Sequence, residues 1–156
     1  TGGKRSTFIK VEKGIQAVRN AMDETLKEAM QTNKIIKEKN MLNQPYFKNK
    51  EHVKWVYEYA KRRIKTQIFI KQLSVFSGKD TFGDIMHTDK KLFKEVRIIP
   101  EELADKSMFR VGGNLSTITS FDENDDYIVI TIRDKYIATF INSMFDFIWK
   151  RSEKYI

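Results

Sequence analysis

Two histidines, His52 and His87, are all the imidazole this chain offers. His52 opens the string "HVKWVYEY". In an HxKxxxxD arrangement a histidine attacks phosphorus while the lysine and aspartate support it. Here the aspartate position is held by Tyr59, and His87 runs into Thr88 and Asp89 without a lysine, so no copy of the motif is complete. The spacing around His52 is helical, which makes it a surface histidine near a helix start. With no cysteine there is no thiolate nucleophile, disulfide or zinc–thiolate site. No HExxH, P-loop, GxGxxG or GxSxG pattern occurs either. The expectation is a chain with no catalytic residue, no metal and no cofactor, and so not an enzyme.

Recognition chemistry is better represented. In "KEVRIIPEE" side chains alternate across a strand, so Glu95 and Arg97 share one face and Val96 and Ile98 the other, until Pro100 ends the run. Basic residues cluster at Lys61, Arg62, Arg63 and Lys65, beside Trp55, Tyr57 and Tyr59. Arginine forks suit anions and aromatic rings suit bases or sugars. If the strands are neighbours, Arg97 and Arg110 converge with Arg63. The candidate ligand-binding set is Trp55, Arg63, Asp89, Glu95, Arg97 and Arg110. The plainer readings are that Arg63 pairs with Glu58 or water and that Trp55 packs in the core.

These residues need elements to hold them. Val11, Ile15, Val18, Met22, Leu26 and Met30 recur at helical spacing, predicting a helix over 11–31. A second helix spans 51–65, with Val53, Val56, Ala60 and Ile64 inward. Strands are expected at 33–40, 67–76 and around 94–98, with a loop at 77–84 and a helical turn at 88–93 capped by Thr88 or Asp89. Three more strands follow, joined by Gly112-Gly113-Asn114 and by the acidic turn 122–126. The last helix covers 134–150, capped by Asp134, with Ile137, Ile141, Met144, Phe145, Ile148 and Trp149 as its stripe. The fold class is α/β with an α+β tendency: a mixed β-sheet flanked by helices.

The length of 156 residues suits one domain, with residues 1–7 as linker and 8–156 as a single α/β domain. The first residue is not methionine, which fits a piece of a longer protein. Net charge is +8, and it is uneven: residues 1–71 hold 17 Lys/Arg against 7 Asp/Glu, a net of +10, and residues 72–156 a net of −2. A basic half attracts nucleic acid or anionic ligands. No signal peptide or membrane span is evident, and a cytoplasmic setting is expected.

Four stretches, taken in order, resemble one family: "VEKGIQAVRNAMDETLKEA", "YAKRRIKTQIFIKQL", "DKKLFKEVRIIPEE" and "DKYIATFINSMFDFIWKRS". They are similar to the C-terminal, non-DNA-binding domain of TrmB-type transcriptional regulators. That domain is phospholipase D-like without the HxKxxxxD motif. The match runs from about residue 8 to 152, with departures at Thr66 and at Gly113, where glycine and aspartate respectively are common. The resemblance implies a regulatory domain that senses a small-molecule effector, such as a sugar, or pairs as a homodimer. DNA would be bound by an N-terminal winged helix absent from this chain. The alternatives are a stand-alone nucleic-acid-binding module and a phospholipase D-like phosphodiesterase.

Overall fold

The computed structural model describes residues 7–40, 49–74, 90–103, 105, 107–122, 124 and 126–154. Among the described residues eight strands form one sheet in the order β1-β7-β6-β5-β2-β3-β4-β8. They are β1 (Phe8–Lys13), β2 (Ile35–Lys39), β3 (Phe69–Ser74), β4 (Lys94–Ile98), β5 (Ser107–Gly112), β6 (Leu115–Phe121), β7 (Tyr127–Arg133) and β8 (Glu153–Lys154). Three long helices are α1 (Ile15–Gln31), α2 (Lys50–Lys65) and α3 (Lys135–Arg151). β2, β3 and β4 run parallel, and the other pairings are antiparallel. The mixed sheet flanked by helices is therefore as expected.

The first helix is shorter than its periodicity suggests. Val11 belongs to β1, and Gly14 turns the chain into α1 at φ +93°. α1 lays Ala17, Val18, Ala21, Met22, Leu26 and Ala29 on the sheet, where they meet Ile36, Ile70, Met108 and Val129. Helix and sheet approach closely at Gly112, where a Cβ would stand 3.0 Å from the Thr25 methyl and 3.1 Å from its carbonyl. α2 is capped by Asn49, whose side chain accepts from the Glu51 and His52 amides. Its buried face is His52, Val56, Tyr59 and Arg63, rotated by a residue or so from the apolar face expected. α3 covers the opposite side of the sheet. Asp134 caps it through the amides of Tyr136 and Ile137, and Phe145 and Trp149 pack with Leu73 and Ile99.

The chain enters each parallel strand through a residue with left-handed backbone: Lys34 (φ +56°), Gln67 (+58°) and Phe93 (+54°). These corners aim the strands alike, so the carboxyl ends of β2, β3 and β4 share one edge. The starts of α1 and α2 lie along that edge. A 3-10 turn at Lys90–Leu92 precedes β4; the expected caps Thr88 and Asp89 and the 77–84 loop lie outside the described residues.

Candidate functional site: a buried polar row beneath the second helix

Strand register assembles a site that sequence spacing conceals. On the face covered by α1 and α2, Arg110 stands opposite Glu38, and Glu38 opposite Gln72. Thr117 continues the row from Arg110, and Thr131 from Thr117. All five side chains are buried. Arg110 grips one carboxylate oxygen of Glu38, with Nε at 3.0 Å and Nη2 at 2.5 Å. A charge-assisted contact of this kind, out of water, is far stronger than a surface pair.

Two more cations sit in the same layer. Arg63, buried at the end of α2, donates to the carbonyls of Ile68, Phe93 and Leu92 at 2.8, 2.9 and 3.0 Å. It thereby ties α2 to the entry of β4. Lys94 lies inward on β4, and burial pushes its ammonium down to about 8, opposed by the charge of Glu38. Tyr59 packs beside Arg110, with the guanidinium 5.9 Å from the ring centre. Burial holds its phenol above the usual range, and its hydroxyl has no hydrogen-bond partner among the described residues.

Two residues further along β2 and β3, on the same face, lie the strand carboxyl ends. Asn40 follows β2; its Nδ2 donates to Ser74 Oγ at 3.3 Å, while its buried Oδ1 has no partner among the described residues. Nearby, Lys39 Nζ donates to Asp105 at 2.7 Å and to the Ser107 carbonyl at 3.1 Å. His52 opens the same edge on α2. Its Nδ1 accepts from Arg19 Nε at 3.2 Å, which leaves the proton on Nε2. Burial first, then the Arg19 charge, lower its pKa to about 4, so the ring is neutral at pH 7. It stacks on Trp55 at 5.8 Å, and Trp55 stacks on Tyr59 at 5.6 Å. Arg19 and Arg62 each lie 5.7 Å from the indole, and Arg62 pairs with Asp23 of α1 at 2.9 Å.

The residues singled out from sequence are thus divided. Trp55, Arg63 and Arg110 lie on the α2 side. Trp55 is half-buried within a stack, and Arg63 binds carbonyls rather than Glu58. Glu95 and Arg97 do share a face, 3.5 Å apart, but it is the other face of the sheet. There Arg97 donates to the Trp149 carbonyl at 2.7 Å and lies 4.4 Å from the indole. The three arginines therefore do not converge: two strands separate β4 from β5, and Arg97 points away from Arg63 and Arg110. Asp89 lies outside the described residues. His52 is buried rather than on the surface. Glu38, Gln72, Asn40, Ser74 and Arg19 escaped sequence reasoning. The available signal was an ionisable residue at an inward strand position, such as Glu38 two residues after Ile36.

Solved structures share this fold. NucT from Helicobacter pylori matches with a TM-score of 0.65 at 8% identity, over 96% of this chain and 100% of that one. Nuc from Salmonella typhimurium, a phospholipase D family member, gives 0.63 at 11% identity over 96% and 99%. TrmBL2, an archaeal chromatin protein described as showing a novel mode of DNA binding, gives 0.60 at 13% identity. That match takes in 97% of this chain and 54% of TrmBL2, so the chain spans about half of that protein. No family model and no curated protein matches the sequence. The fold is phospholipase D-like.

One expectation is corrected here. The missing HxKxxxxD motif suggested that the chain is not an enzyme. A phospholipase D family member has this fold nearly end to end, so the architecture gives no ground for that exclusion. No described helix is long and apolar enough to cross a membrane.

Proposed function

We propose that this chain is the regulatory domain of a DNA-binding transcriptional regulator of TrmB type, taking a small polar effector at the strand carboxyl ends and pairing with a second copy. Candidate effector contacts are Asn40, Ser74, Trp55 and Arg19, supported from beneath by Glu38, Arg110 and Arg63. The observation that carries this reading is the buried Oδ1 of Asn40, without a partner among the described residues, at the edge where β2, β3 and β4 end. Ligands of open α/β sheets bind outside the carboxyl ends of the strands. A buried acceptor without a donor costs about 1–3 kcal/mol, which a hydroxyl-bearing ligand would recover. The share of TrmBL2 that the chain spans supports a DNA-associated setting.

The test is thermal unfolding with a panel of monosaccharides and sugar phosphates. Saturating a folded-state site at a hundred times its Kd adds about 2.7 kcal/mol, or roughly 5–10 °C for a domain of this size. At least one compound should raise Tm by that much, and Asn40→Leu should abolish the rise. A panel without any shift would refute effector sensing. A gene that encodes no winged helix alongside this domain would refute the regulator reading.

A further inference from the structure

The outer side of α3 breaks the usual rule for a surface helix. Tyr136, Phe140, Met144 and Phe147 are 65%, 64%, 46% and 55% exposed. With Ser143 they fall at spacings of three and four, the seam of a helix built to meet another. From Tyr136 to Phe147 the only charge is Asp146, and it is turned aside to Lys37 of β2 at 2.8 Å. At 100° per residue that contact directs the Met144 flank away from β2, toward β6 and β7.

The sheet beside this flank is apolar too. Ile9 and Val11 of β1, Ile118 of β6 and Ile128 of β7 all point to the α3 side and are exposed. Val11, Ile130 and Ile118 lie in one register row. Helix and strands together expose roughly 900 Å² on these eight residues, taking full exposure as about 150–250 Å² each. A standard interface takes about 800 Å² from each partner, and single exposed apolar patches on monomers seldom exceed a few hundred.

We propose that this α3–β1 face is the interface between two copies of the chain, paired about a twofold axis with the α3 helices antiparallel and crossing near Ser143. The inference rests on the pairing half of the function proposed above and locates it. Three observations favour a second copy. The area matches what a stable dimer needs. The centre of the face, around Phe140 and Ser143, carries no charge; Lys13, in register with Ile128, and Arg151, over the Phe147 ring, lie toward its ends, so two chains of net charge +8 can meet at that centre without setting like charges against each other. The small Thr139 and Ser143, between aromatic residues, let two backbones approach while Phe140 and Phe147 fill the partner's grooves. Nucleic acid would need a run of cations across the middle of the face, and those present stand at its ends: Lys13 at the end of β1, and Lys135, Lys150 and Arg151 at the ends of α3.

The experiment is analytical ultracentrifugation of the wild-type chain and of Phe140→Glu over a wide concentration range. Wild type should sediment as a dimer. A charge buried at a central aromatic position should weaken association by at least about 30-fold. Phe140 is exposed, so the variant should keep its circular dichroism and melting temperature. The chain has no cysteine, so Ser143→Cys gives a clean second reading. Mild oxidation should link it into a covalent dimer, whereas Lys54→Cys on α2 should stay single. A wild-type monomer throughout would overturn both this inference and the pairing it rests on. A dimer indifferent to Phe140→Glu, with no Ser143→Cys cross-link, would overturn the interface alone. A monomeric wild type that binds anionic phospholipid vesicles through Phe140 would overturn both as well, since the face would then belong to a lipid surface.

Discussion

Replacing Glu38 with glutamine should destabilise the fold more than removing its partner, Arg110. The substitution keeps shape and an acceptor oxygen, so the loss is almost purely one of charge. Glu38 is buried and receives both contacts from Arg110. Burial lowers the pKa of Lys94 and of Arg63, and the charge of Glu38 opposes that lowering in both. One negative charge therefore offsets three buried positive ones. Breaking a buried pair so that a charge is left uncompensated costs about 3–5 kcal/mol, and Glu38→Gln leaves three cations in that position, so about 4 kcal/mol is expected. Arg110→Met leaves Glu38 ionised but still attended by Lys94 and Arg63. Its cost should be nearer 2 kcal/mol, the value of a lost charge-assisted hydrogen bond.

Urea unfolding followed by circular dichroism would measure both. With m of about 1–3 kcal/mol/M, the two variants should have midpoints about 1 M apart at equal slopes. A total stability of about 5–15 kcal/mol leaves both folded at 25 °C. If Arg110→Met proves as damaging as Glu38→Gln, or more so, Glu38 is not the shared counter-charge and the electrostatic account of the row fails.

Two further predictions concern pH. Burial lowers the folded pKa of Lys94 to about 8 from an ordinary 10.5, so the folded state releases the proton first. Its penalty is complete below pH 8 and fades as pH rises toward 10.5; stability should increase by about 1–2 kcal/mol between pH 8 and 9.5, and Lys94→Met should flatten that rise. A variant with the same slope as wild type would rule Lys94 out as its source. His52, lowered to about 4 from 6.5, works in the acid range. Its neutral form is favoured in the fold, so stability is full above pH 6.5 and falls, by up to about 3 kcal/mol, as pH drops to 4. His52→Phe should unfold less readily between pH 6 and 4.5 than wild type does, relative to each protein's own stability at pH 7; equal losses would contradict the buried, neutral imidazole.

Much of the architecture was legible because most elements carry their own period. Strands β5 to β7 and helix α3 announce themselves by alternation, by the Gly113 turn and by the Asp134 cap. Two errors came from one cause, polar residues on the inside and apolar ones outside. In β1 the outward side carries Ile9 and Val11 while the inward side carries Lys10 and Glu12. That inverted pattern let Val11 join the helical series of α1. In α2 the buried face includes His52 and Arg63, so the apolar series pointed about a residue away. The polar row was illegible for another reason. Glu38, Gln72 and Arg110 are far apart in sequence, and only the crossing of β2 between β3 and β5 makes them neighbours.

Both inversions bear on function more than on stability. A buried ion pair can commonly be replaced by well-packed apolar residues at no loss, so Glu38 and Arg110 as a pair are not needed to make this sheet stable. Exposed Phe140 and Phe147 add nothing to a lone domain either, and they invite aggregation. A structure that puts charge in its core beside a buried amide oxygen with no partner among the described residues, and aromatics on its skin, is suited to contacts beyond itself. The polar row stiffens the end where an effector would enter, and the apolar face is the one proposed to meet a second copy. α3 touches both: its outer side forms the proposed interface, while Asp146 holds Lys37, the residue before Glu38 on β2. An effector that shifts β2 by even a fraction of an ångström would act on α3 through that ion pair. Weakening it with Asp146→Asn should therefore loosen the coupling between effector binding and dimerisation while leaving each measurable alone; undiminished coupling would mean the signal travels by another route.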